Sequence, residues 1–131
     1  MNPTIESYLD NVEMLFVYSP IVLQYSVRER DAIGREGYIR IRARLSNNDI
    51  LEAFEFVTVV AGEINILTYR LQWQTADGQL KKRWDNAGHH KEIATFPHHV
   101  RVGTSGEVQP SETMSIQKVL AIIETELLET A

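Results

Sequence analysis

The chain has 131 residues, 24% of them charged and 44% hydrophobic, with a formal net charge of −5. A chain of this length and composition buries about two thirds of its unfolded surface in one core, which excludes disorder and predicts a single domain over residues 1–131. Cysteine is absent, which excludes disulfides, thiol chemistry and thiolate metal sites and fits a reducing compartment.

The first element predicted is a helix. Asn2 can cap it, Pro3 suits its first turn, and Ile5, Tyr8, Leu9 and Val12 recur at helical spacing. Glu6, Asp10 and Glu13 put negative charge where a signal peptide needs positive charge. The apolar run "MLFVYSPIVLQYSV" is broken by Pro20 and too short to span a bilayer. A cytoplasmic protein without a membrane segment is expected.

From residue 21 the period changes to two. Ile21, Leu23, Tyr25 and Val27 fall on one side, Gln24, Ser26, Arg28 and Arg30 on the other. Next, "YIRIRARL" turns Ile39, Ile41, Ala43 and Leu45 inward and Tyr38, Arg40, Arg42 and Arg44 outward. After the turn signal "SNND" comes "ILEAFEFVTVV", a third strand. A fourth, "INILTYRLQWQ", sets Leu67, Tyr69, Leu71 and Trp73 against Thr68, Arg70, Gln72 and Gln74. "TADG" is a tight turn and "QLKKRWD" returns, with Lys81 and Arg83 on the polar side and Leu80 and Trp84 on the apolar one. "FPHHVRV" is a short strand with His99 and Arg101 outward and Phe96, His98, Val100 and Val102 inward. Gly103, Gly106 and Pro110 mark a loop. Ile116, Val119, Leu120, Ile123 and Leu127 then form the stripe of a final helix capped by Thr113 or Ser115.

Successive strands joined by tight turns predict an α+β domain, with one curved antiparallel sheet of five to six strands and a helix from each end of the chain packed on one face. The acidic residues cluster toward both ends, while 28–44 and 81–101 are basic, so a polyanion would meet a local patch on a molecule that repels it overall. Arg40, Arg42 and Arg44 recur about 6.8 Å apart, a spacing that follows successive phosphates of a nucleic acid. With Arg70 and Lys81 they are the candidate RNA-binding residues. The competing reading is a salt-bridge ladder to Glu29, Asp31, Glu52 or Glu55.

All four histidines lie in "GHHKEIATFPHH". His98 and His99 are adjacent on a strand and point to opposite faces, so they do not share one ion. Parity predicts His98 buried and His99 beside Arg83 and Arg101 on the open face. A metal site would draw on Asp85, on His89 or His90, and on one of the later pair, but the spacing matches no ligand pattern, so neither metal nor cofactor is assigned. A metal-independent ribonuclease needs a base, an acid and cations for the phosphorane. His99 with His90 or His89 supplies the pair, Asp85 orients a ring, and Arg83 or Arg101 stabilises charge. A third reading has the histidines tie a connection to the sheet while the surface binds a protein partner without catalysis. Trp73, Trp84 and Phe96 fall on the apolar parity and are expected in the core.

The string from Leu71 onward, with Asp77-Gly78, Arg83-Trp84-Asp85-Asn86, His89-His90 and Thr95-Phe96-Pro97-His98-His99 before a leucine-rich helix, resembles the TumE family of prokaryotic toxins. Gly88 and Lys91 stand where that family's pattern has proline. The resemblance implies a toxin encoded beside an antitoxin that carries a DNA-binding domain, and it assigns no catalytic residue. RNA, the antitoxin and a second copy of the chain are the partners expected to cover the open face.

Overall fold

The computed structural model describes residues 4–88 and 95–129. Helix α1 (Ile5–Tyr18) starts at Thr4, whose Oγ1 accepts the Ser7 N–H at 3.0 Å while Ser7 Oγ accepts the Thr4 N–H at 3.2 Å, a reciprocal capping box. The expected cap Asn2 and the first-turn Pro3 lie outside the described residues. The helix stops where Ser19, held extended at φ −68° and ψ 129°, precedes Pro20. Ile5, Leu9, Val12 and Phe16 form its buried stripe.

Seven strands follow: β1 (Val22–Ile33), β2 (Glu36–Leu45), β3 (Ile50–Val60), β4 (Glu63–Gln74), β5 (Leu80–Asp85), β6 (His99–Val102) and β7 (Val108–Pro110). They make one antiparallel sheet in sequence order, β1 to β7. The strand beyond the expected five to six is β7, three residues that pair with β6 inside the segment read as a loop. Helix α2 (Ile116–Glu129) closes the chain. Ser115 caps it, its Oγ accepting the Lys118 N–H at 3.1 Å.

Both helices bury their stripes against the face formed by Ile39, Ile41, Ala43, Leu51, Ala53, Val57, Leu71 and Trp73. Gly37 allows α1 to lie this close, because a Cβ there would sit 2.2 Å from Ile5 Cγ2. One carboxylate is enclosed in this core. Glu55 (0% exposed) receives the Tyr8 hydroxyl on Oε1 and the Ile116 N–H on Oε2 at 2.6 Å. It thus ties β3 to both helices and satisfies an orphan donor at the start of α2. Burial pushes its carboxyl above the usual range, against the lowering effect of those two hydrogen bonds, and burial with the adjacent carboxylate pushes the Tyr8 phenol up.

Four bulges correct the expected parity, since one extra residue inverts every side chain beyond it. The shift between Val27 and Glu29 puts Arg30 opposite Ile39 on the helix side. There it binds Asp10 (2.7 Å) and Glu13 (2.5 Å) of α1. Burial opposes its charge, but the two carboxylates outweigh that and raise its pKa. Leu67 is the extra residue at the β3–β4 shift and is 51% exposed, while Ile66 takes its place against the core. Lys81 is the extra residue at the β4–β5 shift. It leaves the polar side, and its ammonium lies 2.6 Å from Asp49 Oδ2 and 4.8 Å above the Trp73 ring. In β1, Leu23 is likewise exposed rather than inward. Among the described residues no helix is long and apolar enough to cross a membrane.

Candidate nucleic-acid interface on the open sheet face

The strand register turns the sequence alternation into rows that cross the sheet on the face opposite the helices. One row runs Glu29, Arg40, Phe54, Arg70, Asp85, His99 from β1 to β6. The next, two residues along each strand and three along the bulged β1, runs Ser26, Arg42, Glu52, Gln72, Arg83, Arg101. Neighbouring strands lie about 4.8 Å apart, so each row is a continuous line of side chains.

The ladder reading holds for two of the three arginines of the β2 stripe. Arg42 pairs with Glu52, and Arg40 Nε lies 3.7 Å from Glu29 Oε1. Arg44 donates to Asn48 Oδ1 at 3.2 Å instead. The other two proposed counterions differ, since Glu55 is buried on the opposite face and Asp31 accepts the Ala32 N–H at 2.8 Å. Arg70 makes no side-chain hydrogen bond or ion pair among the described residues. Arg83 donates from Nε to Gln72 Oε1 at 2.9 Å, and Arg101 from Nη1 to the Gly106 carbonyl at 3.1 Å.

Arg40, Arg70 and Arg83 face one open depression of ≈310 Å³, which they line with Gln72 and Glu52. Its single carboxylate is the one already held by Arg42. Burial lowers the Arg83 pKa, and repulsion from Arg70 and Arg101 adds to the effect while Asp85 opposes it. Like charges have been gathered here with fewer counterions than they need.

At the margin of this cluster stand Asp85 and His99. His99 Nε2 lies 2.9 Å from Asp85 Oδ1, and its Nδ1 lies 3.0 Å from the Pro97 carbonyl. Asp85 Oδ1 also accepts the Ala87 N–H at 3.0 Å. Parity assigned His99 to the correct face, but burial reverses the expectation for the pair. His99 is 2% exposed, and His98 is only partly buried. His98 stacks on Tyr69 at 5.8 Å between centroids, with Nδ1 2.8 Å from the Tyr69 hydroxyl and Nε2 3.3 Å from Thr113 Oγ1. It is a structural histidine that joins β4 to the segment before α2.

The remaining residues of the string have separate jobs. Trp84 is buried. Asn86 accepts the Tyr69 N–H at 3.0 Å and donates to the Leu67 carbonyl at 2.9 Å, which secures the β4 bulge. Thr95 Oγ1 donates to the His98 carbonyl at 2.7 Å and accepts the Ser111 N–H at 3.0 Å. Phe96 is exposed rather than in the core, and its bond to Pro97 is cis. His89 and His90 lie outside the described residues. Among the described residues no three His, Asp or Glu are grouped to hold a metal ion.

Sequence reasoning missed Phe54 and Phe56. They stand on the open face, Phe54 opposite Arg40 and Arg70 and Phe56 opposite Tyr38 and Thr68. The alternation of "LEAFEFV" carries the signal, with Leu51, Ala53 and Val57 on one parity and Glu52, Phe54 and Phe56 on the other. Glu55 on the apolar parity obscures it.

A single antiparallel sheet with both helices on one face and a cationic surface on the other defines a small α+β domain that presents its sheet outward. The chain belongs to the TumE toxin family, whose family model, described as "Toxin TumE", matches residues 12–128. That span runs from the middle of α1 almost to the end of α2. No curated protein and no solved structure matches it.

Proposed function

We propose that the chain is the toxin of a toxin–antitoxin pair and that it acts on RNA as a metal-independent endoribonuclease. The observation that carries the RNA reading is the depression bounded by Arg40, Arg70 and Arg83. Concentrating cations costs stability unless an anion is bound there, and phosphate is an anion whose geometry planar guanidinium groups match with two hydrogen bonds.

Cleavage without a metal forms a bond from the 2′-oxygen to phosphorus and breaks the bond to the 5′-oxygen. A base removes the 2′-hydroxyl proton and an acid returns one to the leaving oxygen. Arg83 and Arg101 stand across from each other beside Asp85 and His99, where they neutralise charge on the phosphorane. Both ring nitrogens of His99 lie against oxygen atoms, of the Asp85 carboxylate and the Pro97 carbonyl, which fix the orientation of the ring. In this reading His99, oriented by Asp85 at the edge of the arginine cluster, is one candidate for acid or base, and His89 and His90 are the others. Membership in a toxin family implies an antitoxin partner. We assign its docking to the same open face, and expect it to carry a DNA-binding domain.

The test is incubation of the purified protein with structured and single-stranded RNA, with and without EDTA, beside folded His99→Ala and Arg83→Ala variants. Cleavage that resists EDTA and is lost in both variants supports the reading. EDTA-sensitive cleavage overturns the metal-independent mechanism. No cleavage in any condition overturns the enzyme and leaves a protein-binding module.

A further inference from the structure

The open face is divided into zones. Beyond the arginine rows, toward the β1–β2 turn, the row Asp31, Tyr38, Phe56, Thr68 crosses the sheet. Tyr38 and Phe56 line a small, largely apolar hollow of ≈110 Å³ with Ile33 and Glu36. Phe54 lies two residues along β3 from Phe56, about 6.8 Å away, and the Arg40 guanidinium sits 4.6 Å above its ring.

Half-buried aromatic side chains beside arginines that outnumber their carboxylate partners are costly for a surface that meets only water. They suit a ligand that is a flat ring and a phosphate at once. We infer that this face binds single-stranded RNA, with bases stacked on Phe56, Tyr38 and the Arg40–Phe54 pair and with phosphates on Arg40, Arg70 and Arg83; the inference rests on the RNA reading above and adds the strand state of the substrate.

Three physical points fix the polarity of this arrangement. Bases stack on aromatic rings and on guanidinium planes alike, so the ion over Phe54 extends the platform. Asp31 and Glu36 lie at the aromatic end and repel phosphate, which keeps the backbone on the arginine side. A base-paired duplex hides its base faces within the stack, so only an unpaired strand can use the rings.

The experiment is equilibrium binding under EDTA, read by fluorescence anisotropy. The probes are a labelled single-stranded RNA, its duplex, and an abasic oligomer of the same length and charge. Wild-type protein is expected to bind the single strand at least about tenfold more tightly than the duplex or the abasic oligomer. A Phe54→Ala/Phe56→Ala variant should lose about tenfold or more for the single strand, keep the wild-type salt slope and leave abasic binding unchanged. Phe54→Tyr/Phe56→Tyr should restore affinity, which separates lost stacking from lost folding. Equal binding of all three probes, unaffected by the alanine changes, overturns the stacking inference while the RNA reading stands. Failure of the wild type to bind any probe, with capture of a purified antitoxin on the same face instead, overturns both.

Discussion

His99 and Asp85 stand directly opposite each other on β6 and β5, with His99 Nε2 2.9 Å from Asp85 Oδ1. The contact joins a short strand near the sheet's edge to the body of the sheet and is almost closed to solvent. His99→Ala removes a buried hydrogen bond to a charged partner, so a loss of about 2–3 kcal/mol is expected in urea unfolding. A loss below about 0.5 kcal/mol, the range of an ordinary surface change, would mean that the ring holds nothing. The same variant must be assayed for RNA cleavage at a temperature where it is fully folded.

Arg70 gives the opposite expectation. It lies beside Arg83 without a counterion of its own, so Arg70→Ala should leave stability unchanged or slightly higher. Single-stranded RNA affinity should fall, with the salt slope reduced by about 0.7 for one lost phosphate contact. An unchanged slope would remove Arg70 from the interface.

Lys81 provides the control. Its charge is spent on Asp49, a buried carboxylate (5% exposed) that also receives the Trp73 indole N–H at 2.9 Å and the Asn47 amide at 2.9 Å. Lys81→Ala should lower stability while leaving the salt slope of RNA binding where it was. Asp49→Ala is the harsher change, costing about 3 kcal/mol because it strands a buried donor and an ammonium. Trp73 fluorescence and a urea titration read both. A reduced salt slope in Lys81→Ala would return that residue to the RNA face.

Glu55 makes stability depend on pH with a defined sign. Its folded pKa is raised, chiefly by burial, so the folded state binds its proton more tightly than the unfolded chain does. The contribution is complete below the unfolded value of 4.5 and disappears as pH rises through the folded value. Wild type should therefore gain stability relative to Glu55→Gln as pH falls from 7 toward 4.5. Parallel urea titrations at several pH values check this, and a constant difference between the two proteins would contradict it.

Gly103 tests the turn that follows β6. A Cβ at this position would lie 1.6 Å from the Leu80 carbonyl oxygen, a backbone atom that cannot swing aside. Gly103→Ala should cost about 2–3 kcal/mol, the upper end for overpacking, seen as a lower thermal midpoint. A midpoint equal to wild type would mean that this backbone approach is looser than described.

The residues that made the architecture readable are those whose alternation is unbroken. Ile39, Ile41, Ala43 and Leu45 against Arg40, Arg42 and Arg44 fixed β2, and every one of them lies on the expected side. Arg30, Leu67 and Lys81 were misplaced because a bulge inserts one residue without any marker in composition, and a period of two carries no memory of phase across it. The histidine pair failed for another reason. Parity names a face, but burial depends on what lies over that face, which alternation does not encode. Asp85, Arg83 and Arg101 were gathered correctly with His99 because they sit on β5 and β6, which are neighbours in both sequence and space.

A sheet whose strands pair only with their sequence neighbours can be assembled hairpin by hairpin, since every pairing except β5–β6 closes only a short loop. The clasp from Glu55 to Ile116 bridges 61 positions and must wait for nearly the whole chain. Until α2 has been made, the apolar side of a finished sheet lies partly bare, with a carboxylate that lacks one of its donors. The arginine-bearing strands β2 and β4 therefore pair with β3 through local contacts, whereas closure of the core depends on a contact between distant parts of the chain.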